Sequence, residues 1–476
     1  MNPIKKIVLF AFLLLLCISC KTIAIINEKE KINLPESYAG GKDSITSGNL
    51  KWQVFYKDPN LKKLIDLALA NNYDLLTALQ KIEIAQNQFR LKKSELLPSV
   101  NAGAGVAQRK FGLFTMDGAG NASTNIRENQ IVPEHLPDYQ IGFNTSWEAD
   151  VWSKIKNQKK AALARYGSSI EAKHAIQSIL VAEIASTYYE LLALDNELDI
   201  IKETAALQQA ALDIIKVKKD AGLFNELAVK QFEGQVLNSK SFELQIVQII
   251  KLTENHLNAL CGRFPQTIER DKLQFNTIQD DLTLGVPSQL LRLRPDVREV
   301  ELELVATKFD LQAAKAAFYP SFTMTGNIGF QAFQSALLFQ TPESFAYSIL
   351  GGLSAPLLNR RAIKVQFQNA KANQTEQLLK YQKTILNGYI EVANELSNLE
   401  NLKNIYALKV KEVDALEKSI ETANDLFRSG RATYLEVLTV QKTALESKID
   451  LLNTNKSRHL ASIKLYKSLG GGWQSE

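Results

Sequence analysis

Residues with the capacity for chemistry are few in this chain, and they are scattered. The histidines, His135, His174, His256 and His459, include no pair at ligand spacing, and no glycine loop that could cradle phosphate or strand-turn-helix nucleophile elbow occurs. The sequence therefore predicts no enzyme, no metal centre and no cofactor. One side chain is set for covalent modification. Lys5 and Lys6 precede an apolar run from Ile7 to Leu16, and small residues lead to Ser19-Cys20, the layout of an export signal rather than a membrane span. Ser19-Cys20 resembles the end of a bacterial lipobox with Cys17 in place of the usual leucine, so acylation of Cys20 is expected; an ordinary cleaved signal is the alternative. Acylation would leave Cys261 alone, without an intrachain disulfide.

The second polar constellation lies in Ala423–Ser447, read as helix, tight turn, helix. Ser429-Gly430 can take the left-handed backbone that ends a helix, and Thr433 with Glu436 has capping-box spacing for the next one. A similar turn lies 208 positions earlier. That displacement brings Gly430 onto Gly222, Gly470 onto Gly262, and Leu435, Leu445 and Leu465 onto Leu227, Leu237 and Leu257. An upstream pair of amphipathic helices, Asp74–Ser99 and Asp296–Ser321, is displaced by 222 and ends each time at Pro-Ser. The chain reads as two copies of one unit.

Each Pro-Ser opens onto strict alternation. Val100, Ala102, Ala104 and Val106 interleave with small or polar residues, as do Tyr139, Ile141, Phe143, Thr145 and Trp147; Phe322 to Phe330 and Phe345 to Leu353 repeat the pattern. Strands of this length suit either a membrane barrel or one solvated sheet of a sandwich. The intervening stretches decide. Lys154–Asp220 contains no proline and places Leu180, Ile184, Thr187, Leu191 and Leu194 at spacings of three and four, a coiled-coil seam on a helix of order 100 Å with Gly167 as its weak point. Asn359–Arg428 repeats it, interrupted at Gly388. Four short membrane-type strands cannot close a barrel within one chain, so several chains must share it. A formal charge of +5, with 45% hydrophobic and 22% charged residues, describes an ordered chain with no basic cluster for nucleic acid.

These features resemble the TolC-like outer membrane efflux proteins, and more closely the lipoprotein branch serving resistance-nodulation-division pumps. The resemblance covers nearly all of the chain after the signal. It rests on Trp52, Phe55 and Asp58-Pro59, on SWEADVW from Ser146, PSQLLRLRPDV from Pro287, RSGRATYLEVLTVQ from Arg428, and LGGGW from Leu469. It implies a mainly α fold with a membrane β-barrel: a homotrimer whose chains each give four strands to a twelve-stranded outer-membrane barrel above a periplasmic helical tube. The expected organisation is a signal peptide 1–19, an N-terminal and equatorial segment 20–72, and a first repeat 73–262 with strands 98–111 and 137–151. An equatorial link 263–294, a second repeat 295–470 with strands 320–333 and 344–357, and a tail 471–476 follow.

On the same resemblance the chain is a passive exit duct in the outer membrane of a Gram-negative bacterium, lipid-anchored, working with a periplasmic adaptor and an inner-membrane transporter. The alternatives are the exit duct of type I protein secretion, or a periplasmic coiled-coil adaptor, which would not need two strand pairs feeding both hairpins. Phe427 and Leu435 match the family's aromatic and apolar aperture positions, and Glu436, Thr439 and Lys442 its charged or polar gate positions. Some relatives carry aspartate where Thr439 stands, which removes a second acidic ring here. Glu436 as a mere cap for its helix, and Leu435 as seam packing, are the structural readings of the same residues. Tyr139, Trp147, Trp152 and Phe345 are candidates for an aromatic girdle, with Trp152 equally suited to strand-to-helix packing. Arg294-Pro295-Asp296 reads as a structural helix start.

Overall fold

The structure, a computed structural model, describes residues 35, 37–38, 46–127, 130–271, 283–355 and 360–474. The expected signal, Cys17 and Cys20 lie outside those residues, as do residues 272–282 of the link. Cys261 is a buried free thiol. The chain forms two units: one contains Leu91–Ala161 and Thr307–Leu378, the other Leu34–Arg90, Ala162–Ala306 and Leu379–Glu476. No described helix is long and apolar enough to cross a membrane.

Helices α1 (Pro59–Asn71) and α2 (Tyr73–Ser94) lead into strand β1 (Ser99–Lys110). An excursion through α3 (Met116–Ser123), β2 (Asn125–Arg127) and β3 (Gln130–Ile131) returns as β4 (His135–Ala149). Then come α4 (Lys154–Asp220) and α5 (Glu226–Leu260). The order recurs as α6 (Pro295–Ala316), β5 (Ser321–Ala332), β6 (Phe345–Ser354), α7 (Arg360–Arg428) and α8 (Tyr434–Ser468).

In the first unit β1, β4, β5 and β6 form one antiparallel sheet in that order, with β1 and β6 at its edges. Residues directly opposite on antiparallel strands share a face. The rows Ala102–Phe143–Ile328–Tyr347 and Ala104–Ile141–Phe330–Phe345 therefore build one apolar face. Asn101–Asn144–Asn327–Ser348 and Gly103–Gly142–Gly329–Ala346 build the other. Both faces are open in the single chain: on the apolar one Val106 is 74% exposed, Tyr347 73% and Ile349 77%, and on the polar one Asn101, Asn144 and Asn327 are exposed. Among the described residues, Leu136 opposite Arg109 and Leu350 opposite Thr325 are the large apolar side chains on the polar face.

In the second unit the N-terminal motif supplies the core. Trp52, Phe55, Leu61 and Ile65 pack with Ile184, Tyr188 and Leu191 of α4 and with Tyr466 of α8, all fully or nearly fully buried. Phe55 stacks on Tyr466 with ring centroids 4.0 Å apart. Asp58 caps α1 through the amides of Asn60 and Leu61 (2.8 and 3.1 Å) and accepts the Tyr188 hydroxyl at 3.0 Å. Burial, then the Asp58 carboxylate, push the Tyr188 phenol well above its ordinary range.

The two long-helix glycines do not break their helices. α7 runs through Gly388 without interruption, contrary to expectation, because the glycine faces a neighbour rather than a bend: a Cβ there would lie 3.3 Å from the Arg294 guanidinium. Gly167 faces Leu302 of α6 in the same manner.

The returning helices end alike. Asn72 caps α2 and donates to the carbonyl of Leu260, the last residue of α5, at 2.9 Å. Arg294, at the corresponding place before α6, donates to the carbonyl of Ser468, the last residue of α8, at 3.0 Å. It also pairs with Asp296 at 2.6 Å and Glu391 at 2.8 Å. Gly262 and Gly470, both with positive φ, follow these ends, and a Cβ would strike the backbone carbonyl of Asn71 in one case and of Leu293 in the other. The C-terminal motif closes this region, with Ser178 Oγ donating to the Gly471 carbonyl at 2.5 Å and the Trp473 indole to that of Leu293 at 3.1 Å.

Candidate functional site

Two places gather the residues singled out in the sequence. In the helical unit the α7–α8 turn has Gly430 at φ +70°, with Arg431 N donating to Leu426 O at 2.8 Å. The α4–α5 turn repeats this with Gly222 at +79° and Leu223 N on Lys218 O at 3.0 Å. These are the long-range bonds of the Schellman closure, which satisfy carbonyls orphaned at a helix end.

Thr433 then starts α8 through a complete capping box: Glu436 N donates to Thr433 Oγ1 at 3.4 Å, and Thr433 N to Glu436 Oε2 at 2.6 Å. The backbone bond from Thr433, then its hydroxyl, hold the fully exposed Glu436 carboxyl below its ordinary range. Leu435, Glu436, Thr439 and Lys442 all lie on the exposed side of α8, whose opposite side buries Val437 and Ala444. Leu435 is 55% exposed, Thr439 bonds back to its carbonyl at 2.8 Å, and Lys442 sits 3.9 Å from Glu446.

Phe427 stands apart from these four. Its ring packs on Phe224 of the first turn with centroids 5.7 Å apart, and Lys218 Nζ lies 4.9 Å over it. Tyr434 meets Phe224 edge-on at 6.1 Å. Phe224, Lys218 and Tyr434 were not among the expected site residues. Nothing in the repeat pattern marks them, since at the 208-residue displacement Phe224 falls on Ala432 and Phe427 on Lys219.

In the strand unit the four aromatic candidates divide between the two ends of the sheet. Tyr139 and Phe345 occupy the end remote from the helices, where Phe345 meets Phe330 at 6.0 Å. Trp147 and Trp152 occupy the helix end. Their indoles donate to backbone carbonyls just before the strands, Trp147 to Leu96 at 3.0 Å and Trp152 to Pro320 at 2.7 Å. Trp152 also stacks on Tyr319 at 4.8 Å. The distance along β4 from Tyr139 to Trp147 is about 27 Å at strand rise. Asp150 starts α4 by accepting the amides of Ile155 and Lys156 at 2.9 and 2.8 Å, and Lys154 Nζ reaches Glu148 Oε1 at 2.6 Å.

A four-stranded sheet apolar on one open face and polar on the other, in a chain that is otherwise mostly long hairpin helices, defines the class of fold. The outer membrane efflux protein family profile matches residues 64–263 and 286–471, and the chain belongs to that family. It is 26% identical over 484 residues to the cation efflux system protein CusC of Escherichia coli O6:H1, covering 100% of both chains. With the probable outer membrane lipoprotein SilC of Salmonella typhimurium it shares 26% identity, over 95% of this chain and 96% of the other. A solved CusC structure, described in terms of folding and transmembrane channel formation, superposes with a TM-score of 0.82 at 25% identity, covering 92% of this chain and 97% of its own.

Proposed function

We propose that this chain is the outer-membrane channel of a tripartite efflux system, a passive exit duct that receives substrate from an inner-membrane transporter and a periplasmic adaptor. The observation that carries this reading is the sheet with two open faces of opposite character. In water the apolar face would be an aggregation surface, and in lipid the unpaired edges of β1 and β6 would be forbidden; both are resolved if β6 pairs with β1 of the next copy, lipid outside and water inside. Three copies give a twelve-stranded barrel, the 73–262 and 295–470 repeats supply its helical tube, and acylated Cys20 adds an anchor. Tyr139 and Phe345 then form the outer aromatic belt, Trp147 and Trp152 the inner one. Leu435, Glu436, Thr439 and Lys442 line the periplasmic aperture, and Phe427 braces it from behind by holding the first turn. The relatives' transport names, cation efflux for CusC among them, support the class of function, and no cargo is assigned from them. Cross-linking and native mass measurement in mild detergent should give a trimer. A stable, folded, lipid-spanning monomer would refute the shared barrel.

A further inference from the structure

The polar face of the strand unit carries its charge in a particular way. Among the described residues of that face, Glu148 lies at the helix end, and Asp138 and Arg109 at the remote end. Between them stand only neutral side chains, the carboxamides of Asn101, Gln140, Asn144 and Asn327 and the hydroxyl of Ser348 among them. Both end charges are matched. Glu148 Oε1 is 2.6 Å from Lys154 Nζ, with the two side chains similarly half-buried, and Asp138 Oδ2 is 3.4 Å from Arg109.

We propose that Glu148 and Lys154 form a charge-compensated belt at the strand–helix junction that keeps the strand segment of the conduit electroneutral, so that this segment passes cationic, anionic and neutral polar solutes alike. The inference rests on the reading that the polar face lines the water-filled barrel. Unmatched rings of one sign set the ion preference of a pore, whereas a close pair presents a dipole whose field dies away over a few ångströms. A neutral carboxamide and hydroxyl lining beyond it hydrogen-bonds any polar solute without trapping one sign. Selection by charge is then left to the helix turns, where Glu436 is exposed, and to the transporter.

The test is a charge cycle read as the potassium-to-chloride permeability ratio in planar bilayers. Three unpaired charges at roughly 10 Å from the axis and 0.1 M salt should move that ratio by about two- to fivefold. Lys154→Met, which frees the carboxylate, should move it towards potassium; Glu148→Gln, which frees the ammonium, towards chloride; the double variant should restore the wild-type ratio. An unchanged ratio in both single variants, or a double variant that stays displaced, overturns the proposal. Should the single variants fail to assemble, Asn327→Asp places an unpartnered charge on the same face and must raise potassium preference; no change there overturns it equally. The underlying reading is checked separately with a membrane-impermeant thiol reagent on Asn144→Cys and Phe143→Cys. Labelling of Asn144→Cys alone, with an unchanged ratio, sinks the charge belt and leaves the barrel reading intact. Labelling of Phe143→Cys alone sinks both.

Discussion

Glu436 has two demands on one carboxylate. The capping box fixes it against Thr433 while leaving it fully exposed, so the capping role leaves room for the proposed electrostatic one. Glu436→Gln keeps a side chain that can cap and removes the charge, and the expected result is a loss of cation preference with a small change in conductance. Leu435→Ala should instead raise single-channel conductance, because three copies of that exposed side chain would make the apolar constriction. Wild-type values in both variants, with the trimer intact, would place the constriction elsewhere. The carboxyl is held below its ordinary value in the folded protein, so its stabilising contribution is complete above the unfolded pKa of about 4.3 and is lost as pH falls through the lowered folded value. Cation preference should accordingly persist to lower pH than an unperturbed carboxylate would allow, which bilayer recordings over an acid pH series can read.

At the scale of elements, the two returning helices are tied down by different chemistry at equivalent places. Asn72 offers a neutral amide to the end of α5, whereas Arg294 offers a guanidinium that also binds Asp296 and Glu391 and rests against Gly388. Arg294→Ala leaves the end of α8 without its donor and two carboxylates without a cation. Both carboxylates are more than a third exposed, so the loss is discounted to about 2 kcal/mol from the 3–5 typical of a fully buried pair. Asn72→Ala should cost about 1–2 kcal/mol through the lost cap and the lost bond to Leu260. Denaturant or thermal unfolding of the purified protein would rank them. Gly388→Leu should mimic Arg294→Ala, since the added side chain occupies the guanidinium's seat; an unaltered unfolding midpoint would show that the seat is not needed.

For the whole molecule, anchoring and spanning are separable. Cys20→Ser should abolish labelling with palmitate, yet trimers should still form, since a closed barrel holds itself in the bilayer far more firmly than acyl chains do. Continued labelling in that variant would remove Cys20 as the site. Loss of trimers along with the label would mean that the anchor is needed for assembly and not only for attachment.

The sequence by itself determined the elements. The proline-free run with apolar residues at spacings of three and four is one helix, Lys154–Asp220, and the alternating segments after each Pro-Ser are strands, because both patterns are local consequences of backbone period. The capping box of Thr433 and the left-handed Gly430 were legible for the same reason. Only the tertiary structure decided which strand neighbours which. The β4–β5 pairing joins residues almost two hundred positions apart, and its register alone unites the alternation of four strands into two opposed faces. It also decided that Gly388 makes room for Arg294 instead of breaking α7, and that Phe427 turns towards Phe224 and Lys218, away from the exposed row of Leu435 and Glu436. Period and caps depend on residues within a turn of one another. A glycine's neighbour or an aromatic's partner depends on which distant helix packs beside it, and no local pattern carries that information.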